Sequence, residues 1–283
     1  MACPDPLDAG PGHLRHTMLD QDALNETRTP AVGQILADLS EDPRLVHVHH
    51  QAARSARYGS IPNDLPEAIH GALPHDKLWS HQTSTIETIR RGRSVAITTG
   101  TASGKSLCFQ VPVMEQVLSG GTALLIYPTK ALAQDQLMSM SRWGVPGVVA
   151  AAYDGDCSPQ ERAWVRAHAN AVFTNPEMLH NSILASGHQW AAFLRSVKIV
   201  VVDELHALRG VFGSNVAHVL RRLRRSILHH GGQEPVFVFT SATIGEPTAL
   251  ASDLAGIPVQ VSDDDGSPSG PRSIAIWNPA LAT

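Results

Sequence analysis

Ser94-Val95-Ala96-Ile97-Thr98-Thr99-Gly100-Thr101-Ala102-Ser103-Gly104-Lys105-Ser106 is the stretch that decides the fold. A short apolar run, a Gly-bearing loop ending Gly-Lys-Ser and an apolar stretch behind it read as strand, loop and helix. A loop of this kind turns backbone N–H groups and a helix N-terminus toward one point, which suits phosphates. In that reading Lys105 reaches the outer phosphates and Ser106 offers its hydroxyl to Mg²⁺. The strict pattern opens with Gly, where this chain has Thr99. Gly-Lys-Ser alone is also an ordinary helix start; the strand–loop–helix context gives it meaning. Pro112 falls inside the helix expected after Lys105, where it should kink it.

Outward from that stretch the pattern repeats. Ser94–Thr98, Thr122–Tyr127, Val148–Tyr153, Ala171–Thr174, Lys198–Val202 and Val236–Thr240 are short, nearly continuous apolar runs, as a parallel sheet covered on both faces requires. Ala131–Trp143, Pro159–Ala169 and Val216–His229 lie between them with helical spacing. Strand–helix alternation predicts an α/β fold with a doubly wound, mostly parallel sheet and helices on both faces. Each run is followed at once by a polar segment: Thr99–Ser106, Pro128-Thr129-Lys130, Asp154-Gly155-Asp156, Asn175-Pro176, Asp203-Glu204-Leu205-His206 and Ser241-Ala242-Thr243. Ligands of open α/β sheets bind at the carboxyl ends of the strands, so all six should line one edge.

The rest of the chain is less patterned. Met1–Thr29 is expected to be flexible, Val32–Leu39 a short helix, and Pro43–Pro74 a His- and Arg-bearing helical stretch followed by a Pro-punctuated loop. The domain expectation is therefore a mainly helical accessory segment over 1–75, an α/β domain over 76–262, and a linker with one further strand over 263–283. Asp263-Asp264-Asp265-Gly266-Ser267-Pro268 reads as the linker and Ile274-Ala275-Ile276-Trp277 as the strand.

Composition excludes several classes. The 283 residues are 43% hydrophobic, enough for a large core. No apolar run approaches the roughly 20 residues that cross a bilayer, and the N-terminus lacks a signal-peptide layout; a cytoplasmic protein is expected. Cys3, Cys108 and Cys157 form no CxxC pair, which argues against a disulfide framework or a cysteine zinc site. The net charge of −4 provides no global basic field, though a local groove can still hold a strand. The lysines are Lys77, Lys105, Lys130 and Lys198, and two of them stand in the polar segments above. His47, His49 and His50 lack a matching second set of metal ligands and read as a solvated face. Arg221, Arg222, Arg224 and Arg225 span more than one helix face, which argues against one strand-facing stripe.

Asp203-Glu204 pairs an aspartate able to hold Mg²⁺ with a carboxylate able to activate water. Alone, the pair would equally serve as an acidic helix start. Gln82, in Trp79-Ser80-His81-Gln82, carries an amide that suits adenine and suits a solvated helix start equally well.

Thr99–Ser106, Asp203-Glu204-Leu205-His206 and Ser241-Ala242-Thr243, in that order, resemble motifs I, II and III of superfamily two helicases. Pro128-Thr129-Lys130-Ala131-Leu132-Ala133-Gln134-Asp135-Gln136 resembles motif Ia, and Thr174-Asn175-Pro176-Glu177-Met178-Leu179-His180 resembles motif Ib. With Tyr153-Asp154-Gly155-Asp156 and the stretch from Val211 to Arg225, the wording is most similar to the MrfA/YprA-type DExH helicases, relatives of fungal RecQ-four-like enzymes. The resemblance runs from about Leu78 to the C-terminus.

The resemblance implies a RecA-like domain that binds ATP and Mg²⁺ and moves 3′ to 5′ along DNA, single-stranded or 3′-tailed, with links to DNA repair. It implies that Thr99, Gly100, Thr101, Ala102, Ser103, Gly104, Lys105 and Ser106 hold the nucleotide and that Gln82 reads adenine. Ser106 and Asp203 would hold Mg²⁺, and Lys105, Asp203, Glu204 and His206 would form the catalytic set. Ser241 and Thr243, with His206, would couple nucleotide state to movement; Thr129, Lys130, Thr174 and Asn175 would touch the nucleic-acid backbone. Such motors use a second RecA-like domain carrying motifs IV to VI and a transition-state arginine. The expectation is of one motor domain and the opening strand of the next, without the family's Cys-rich region. Losing the arginine costs about 10³–10⁵ in turnover, so weak binding of ATP and DNA with little hydrolysis is expected. A DEAD-box RNA helicase is disfavoured by Leu205-His206 in motif II and by Thr129-Lys130-Ala131-Leu132 in motif Ia. A silent nucleotide or single-strand binding module is the alternative of another class. A small-molecule P-loop kinase would need neither motif Ia nor motif III.

Overall fold

The computed structural model describes residues 34, 42–242 and 245–278. In chain order the first elements are β1 (Leu45–Gln51), β2 (Tyr58–Gly59), α1 (Glu67–His70), β3 (Leu78–Trp79), α2 (Ser80–Arg90), β4 (Val95–Ile97) and α3 (Lys105–Leu118). They are followed by β5 (Thr122–Ile126), α4 (Lys130–Ser141), β6 (Ala150–Ala152), α5 (Pro159–His168), β7 (Ala171–Thr174), α6 (Pro176–Met178) and α7 (Ala191–Ser196). The last are β8 (Val197–Val202), α8 (Gly210–His229), β9 (Val236–Thr240), α9 (Pro247–Ala255), β10 (Gln260–Ser262) and β11 (Arg272–Trp277).

Seven strands form one sheet in the order β10-β4-β9-β8-β5-β7-β6, and every pairing in it is parallel. Successive side chains of a strand point to opposite faces, and here both faces are covered. Leu124, Ile126, Val200, Val202, Phe237 and Phe239 pack with Leu220, Leu223 and Ile227 of α8 and Leu254 of α9. Ala123, Leu125, Ile199, Val201 and Val238 pack on the other side with Phe109 and Val113 of α3 and Ala133 and Met140 of α4. This explains why the strands read as unbroken apolar runs. Each fully buried large side chain contributes roughly 1.5–3 kcal/mol, so the sheet is a rigid base for the loops at its edge. The expected doubly wound RecA-like α/β fold is present.

Local sequence sets the element ends. Ser158 and Glu161 form a reciprocal capping box with Pro159 at the first helical position, which starts α5. The helix α3 runs through Pro112 without interruption, because neighbouring packing offsets the one missing hydrogen bond.

Contacts divide the chain into two units, residues 1–54 with 269–283, and residues 55–268. The first departs from expectation. Leu45–Gln51 is a strand, not part of a helical stretch, and pairs antiparallel with Arg272–Trp277. Alternating Val46, His47, Val48 and His49 favours extended backbone over helix. His47, His49 and His50 are solvated as expected, but on this ribbon. The second unit begins at Ser55 rather than residue 76: Leu65 and Ile69 are buried with Leu78, Ile86, Val111 and Met114. It also includes Asp263–Pro268, which is packed rather than a free linker. The expectations for Met1–Thr29 and Val32–Leu39 fall outside the described residues, Gln34 excepted. No helix among the described residues is long and apolar enough to cross a membrane.

Candidate active site

Sheet order sorts the six polar segments. Strands β4, β9 and β8 are neighbours, so the segments after them, Thr99–Ser106, Ser241-Ala242 and Asp203–His206, meet at one end of the edge. The segments after β5, β7 and β6 occupy the other end.

The phosphate-type loop is held from within. The Thr99 and Ser103 hydroxyls lie 2.6 Å apart and both residues are 1% exposed. Gly104 has a left-handed backbone, φ 67°, just before α3. A Cβ there would stand 2.6 Å from Gln82 Nε2 and 3.0 Å from Trp79, so only Gly fits. Lys105 donates to the carbonyls of Thr99 at 3.0 Å and Gly100 at 2.7 Å. Burial pulls its ammonium below the ordinary lysine range, opposed by the charges of Asp203, Asp265 and Glu204. Ser106 donates to Gln136 Oε1 at 3.2 Å.

Opposite the loop, one oxygen of Asp203 accepts the Glu204 N–H at 2.9 Å and the Thr240 hydroxyl. Glu204 adopts a left-handed backbone, φ 55° and ψ 48°. Its carboxylate lies 3.1 Å from His206 Nδ1, which lies 3.4 Å from the Ser241 hydroxyl. A chain of contacts thus joins the segment after β8 to the segment after β9. Loop and carboxylates enclose a cleft of about 520 Å³ lined by Gly104, Lys105, Ser106, Asp203, Glu204 and Ser241.

A second cleft of about 380 Å³ lies beside Gly104 and Ser106, lined also by Lys77, Trp79, Gln82 and Trp143. Gln82 accepts from the Trp79 N–H at 2.9 Å and donates to the Gly104 carbonyl at 3.2 Å. It therefore ties α2 to the loop while one N–H and one lone pair stay outside these bonds. Sequence reading assigned no role to Trp79, Trp143 or Gln136; nothing in their spacing marks them, since only the fold brings them to the loop. Asp265 was also missed. Its carboxylate accepts the Gly100 N–H at 3.2 Å, and Gly266 N–H donates to His81 Nδ1 at 3.1 Å. His81 Nε2 lies 2.9 Å from the Ser103 carbonyl, which fixes the proton on Nε2.

At the far end the expected nucleic-acid residues are mostly engaged. Thr129 caps α4 by accepting from Leu132 N–H, and Asn175 caps α6 by accepting from Met178 N–H. Lys130 is exposed but ion-paired with Asp156 at 2.7 Å. Thr174 is 1% exposed and its hydroxyl donates to the Tyr153 carbonyl, which joins the ends of β7 and β6. Thr243 lies outside the described residues.

A parallel sheet with a phosphate-type loop, a carboxylate pair and a serine at adjoining strand ends defines a RecA-like domain. The DEAD/DEAH box helicase family matches residues 79–250, and the chain belongs to that family. The chain is 40% identical over 257 residues to the uncharacterized ATP-dependent helicase YprA of Bacillus subtilis, covering 88% of this chain and 34% of YprA. It is 38% identical over 251 residues to the ATP-dependent helicase HRQ1 of Saccharomyces cerevisiae, covering 84% and 23%. The crystal structure of the DUF1998 helicase MrfA bound to DNA and AMPPNP superposes with a TM-score of 0.84 at 39% identity, covering 88% of this chain and 36% of that one. The chain thus spans about a third or less of each of these relatives.

Proposed function

We propose that this chain binds ATP–Mg²⁺ and a DNA strand as the first motor domain of a 3′-to-5′ ATP-dependent DNA helicase. The carrying observation is the 520 Å³ cleft in which Lys105 and Ser106 face Asp203 and Glu204. Its neighbour beside Trp79 and Gln82 has the size and the aromatic wall for a nucleobase. Lys105 exchanges the carbonyls of Thr99 and Gly100 for phosphate oxygens, a favourable trade for a partly buried ammonium. Ser106 and Asp203 would hold Mg²⁺, which when bound spreads the charge of the phosphates. Among the described residues no three His, Cys, Asp or Glu side chains converge on a metal, which suits an ion held by one carboxylate, a hydroxyl, water and phosphates. Glu204 takes a proton from the attacking water, and His206 and Ser241 feel the change through the 3.1 and 3.4 Å contacts. A second RecA-like domain would supply the transition-state arginine. Single-stranded or 3′-tailed DNA would cross the strand ends of β5 and β7 past Thr129, Lys130 and Asn175, with Lys130 released from Asp156.

The test is titration of a fluorescent ATP analogue into the wild-type chain and Lys105→Ala, with circular dichroism on both. Binding should fall more than tenfold in the variant with the spectrum unchanged. Equal affinity would remove the loop from the site.

A further inference from the structure

The helix α8 carries His218, Arg221, Arg222 and Arg225, spaced i, i+3, i+4 and i+7, along one face. Arg224, which made the run look scattered in sequence, turns away and is paired with Glu234. The remaining three arginines differ in this from five others. Arg44, Arg57, Arg90, Arg91 and Arg224 each meet a carboxylate. Arg222 is instead fixed by neutral acceptors: His180 Nδ1 at 3.1 Å and the Leu184 carbonyl at 3.0 Å. Arg221 donates to the backbone carbonyl of Asp253 at 2.6 Å. Among the described residues neither these two nor Arg225 forms an ion pair with a carboxylate. The Arg221 and Arg222 guanidinium groups are thus held by neutral acceptors, and Arg225 is exposed.

These side chains, with His180 and Asn215, line a groove of about 480 Å³. His180 receives the Arg222 proton on Nδ1, so its neutral form presents an N–H donor at Nε2. The lining contains three guanidinium groups, two imidazoles and an amide, and no carboxylate. In a chain of net charge −4 such a site is a local exception. Arginines without a paired carboxylate suit phosphate oxygens, and the two already held, Arg221 and Arg222, have little ordering left to do on binding. The groove opens beside the turn that continues from α6, which Asn175 caps. We infer that this groove holds phosphodiesters of the nucleic-acid strand, in addition to the strand's approach to Thr129, Lys130 and Asn175. This rests on the nucleic-acid arm of the proposed function.

The experiment uses the 283-residue chain and fluorescein-labelled single-stranded dT20, read by anisotropy across a salt series. Arg225→Glu alters an exposed side chain, and Arg221→Glu/Arg225→Glu removes two charges. The single variant should weaken binding at least threefold and the double variant more than tenfold. The slope of log K against log salt should fall by about 0.7 for each phosphate the variant no longer neutralises. Arg225→Lys should restore most of the affinity, Arg91→Glu should change it less than twofold, and affinity for the ATP analogue should stay as in wild type. Wild-type binding that the Arg221 and Arg225 reversals leave unchanged overturns this inference alone. A wild-type chain that binds the nucleotide but not dT20 overturns the nucleic-acid reading as well.

Discussion

Glu204 holds a left-handed backbone, φ 55° and ψ 48°, where β8 gives way to the turn Leu205–Ala207. For an L-residue with a Cβ that conformation costs about 1–2 kcal/mol, and glycine escapes it. Against this, glycine loses about 0.4–1 kcal/mol more through the freedom of its unfolded chain. Glu204→Gly should therefore be more stable than Glu204→Ala by about 1 kcal/mol. Both variants lack the same carboxylate, so the 3.1 Å approach to His206 cancels in the comparison. At an ordinary helix position the sign reverses, with glycine about 1 kcal/mol below alanine. Glu87, inside α2 with its side chain about half exposed, supplies that control. In a domain of this size 1 kcal/mol moves the melting temperature by about 2–4 °C. Thermal denaturation followed by far-ultraviolet circular dichroism on all four variants gives the answer. Glu204→Gly melting at or below Glu204→Ala, with the Glu87 pair behaving normally, would refute strain at this residue. If Glu204 accepts a proton from water as proposed, the strain is the cost of keeping a carboxylate that glycine lacks.

Two further outcomes follow from packing and burial. A Cβ at Gly266 would sit 2.2 Å from Ser80 Oγ and 2.9 Å from the Arg57 carbonyl, so Gly266→Ala should cost about 1–3 kcal/mol and lower the melting temperature by several degrees; an unchanged melting curve would show that Asp263–Pro268 is a free linker after all. Burial pushes the Cys108 thiol from 9.0 up to about 12. Its raised value means the unfolded thiol ionises first, so stability is full below pH 9 and is lost as pH rises toward 12. Urea midpoints from pH 8 to pH 11 should fall more steeply for wild type than for Cys108→Ala, and parallel profiles would count against the burial argument.

Much of the site was legible because its chemistry sits in short contiguous segments directly after apolar runs. Val201 and Val202 predict where Asp203 lies, and Ile97 predicts where the loop begins. What sequence could not supply was order across the sheet. That β9 lies between β4 and β8 is a fact of strand pairing, and it alone puts Ser241 beside His206. Asp265 was hidden for a different reason: three aspartates before Gly-Ser-Pro have a linker's composition, and only packing against His81 and Gly100 gives one of them a place. Leu45–Gln51 was misread because its pairing partner lies more than 200 residues away. The inward turn of the Thr174 hydroxyl was likewise not legible, since a threonine at a strand end can point either way.

The helix α8 bears on both ends of the functional edge. It starts at Gly210, seven residues beyond Asp203, and its Arg222 grips the turn that follows Asn175. Leu205 and Leu208, between Asp203 and the helix, are 0% and 2% exposed and share one core with Leu220 and Leu223 of α8. Close-packed groups transmit displacement because they have no free volume to absorb it. A nucleotide that shifts Asp203–His206 would therefore move α8 as a body, and with it the arginines of the groove. The sheet is the other route, since two strand spacings, roughly 10 Å, lead from β8, whose end carries Asp203, through β5 to β7. If the groove holds phosphodiesters, α8 is the direct lever between the Asp203–Glu204 carboxylates and the groove's arginines. ATP-analogue binding should then change dT20 affinity in wild type and do so less in the Arg221→Glu/Arg225→Glu chain.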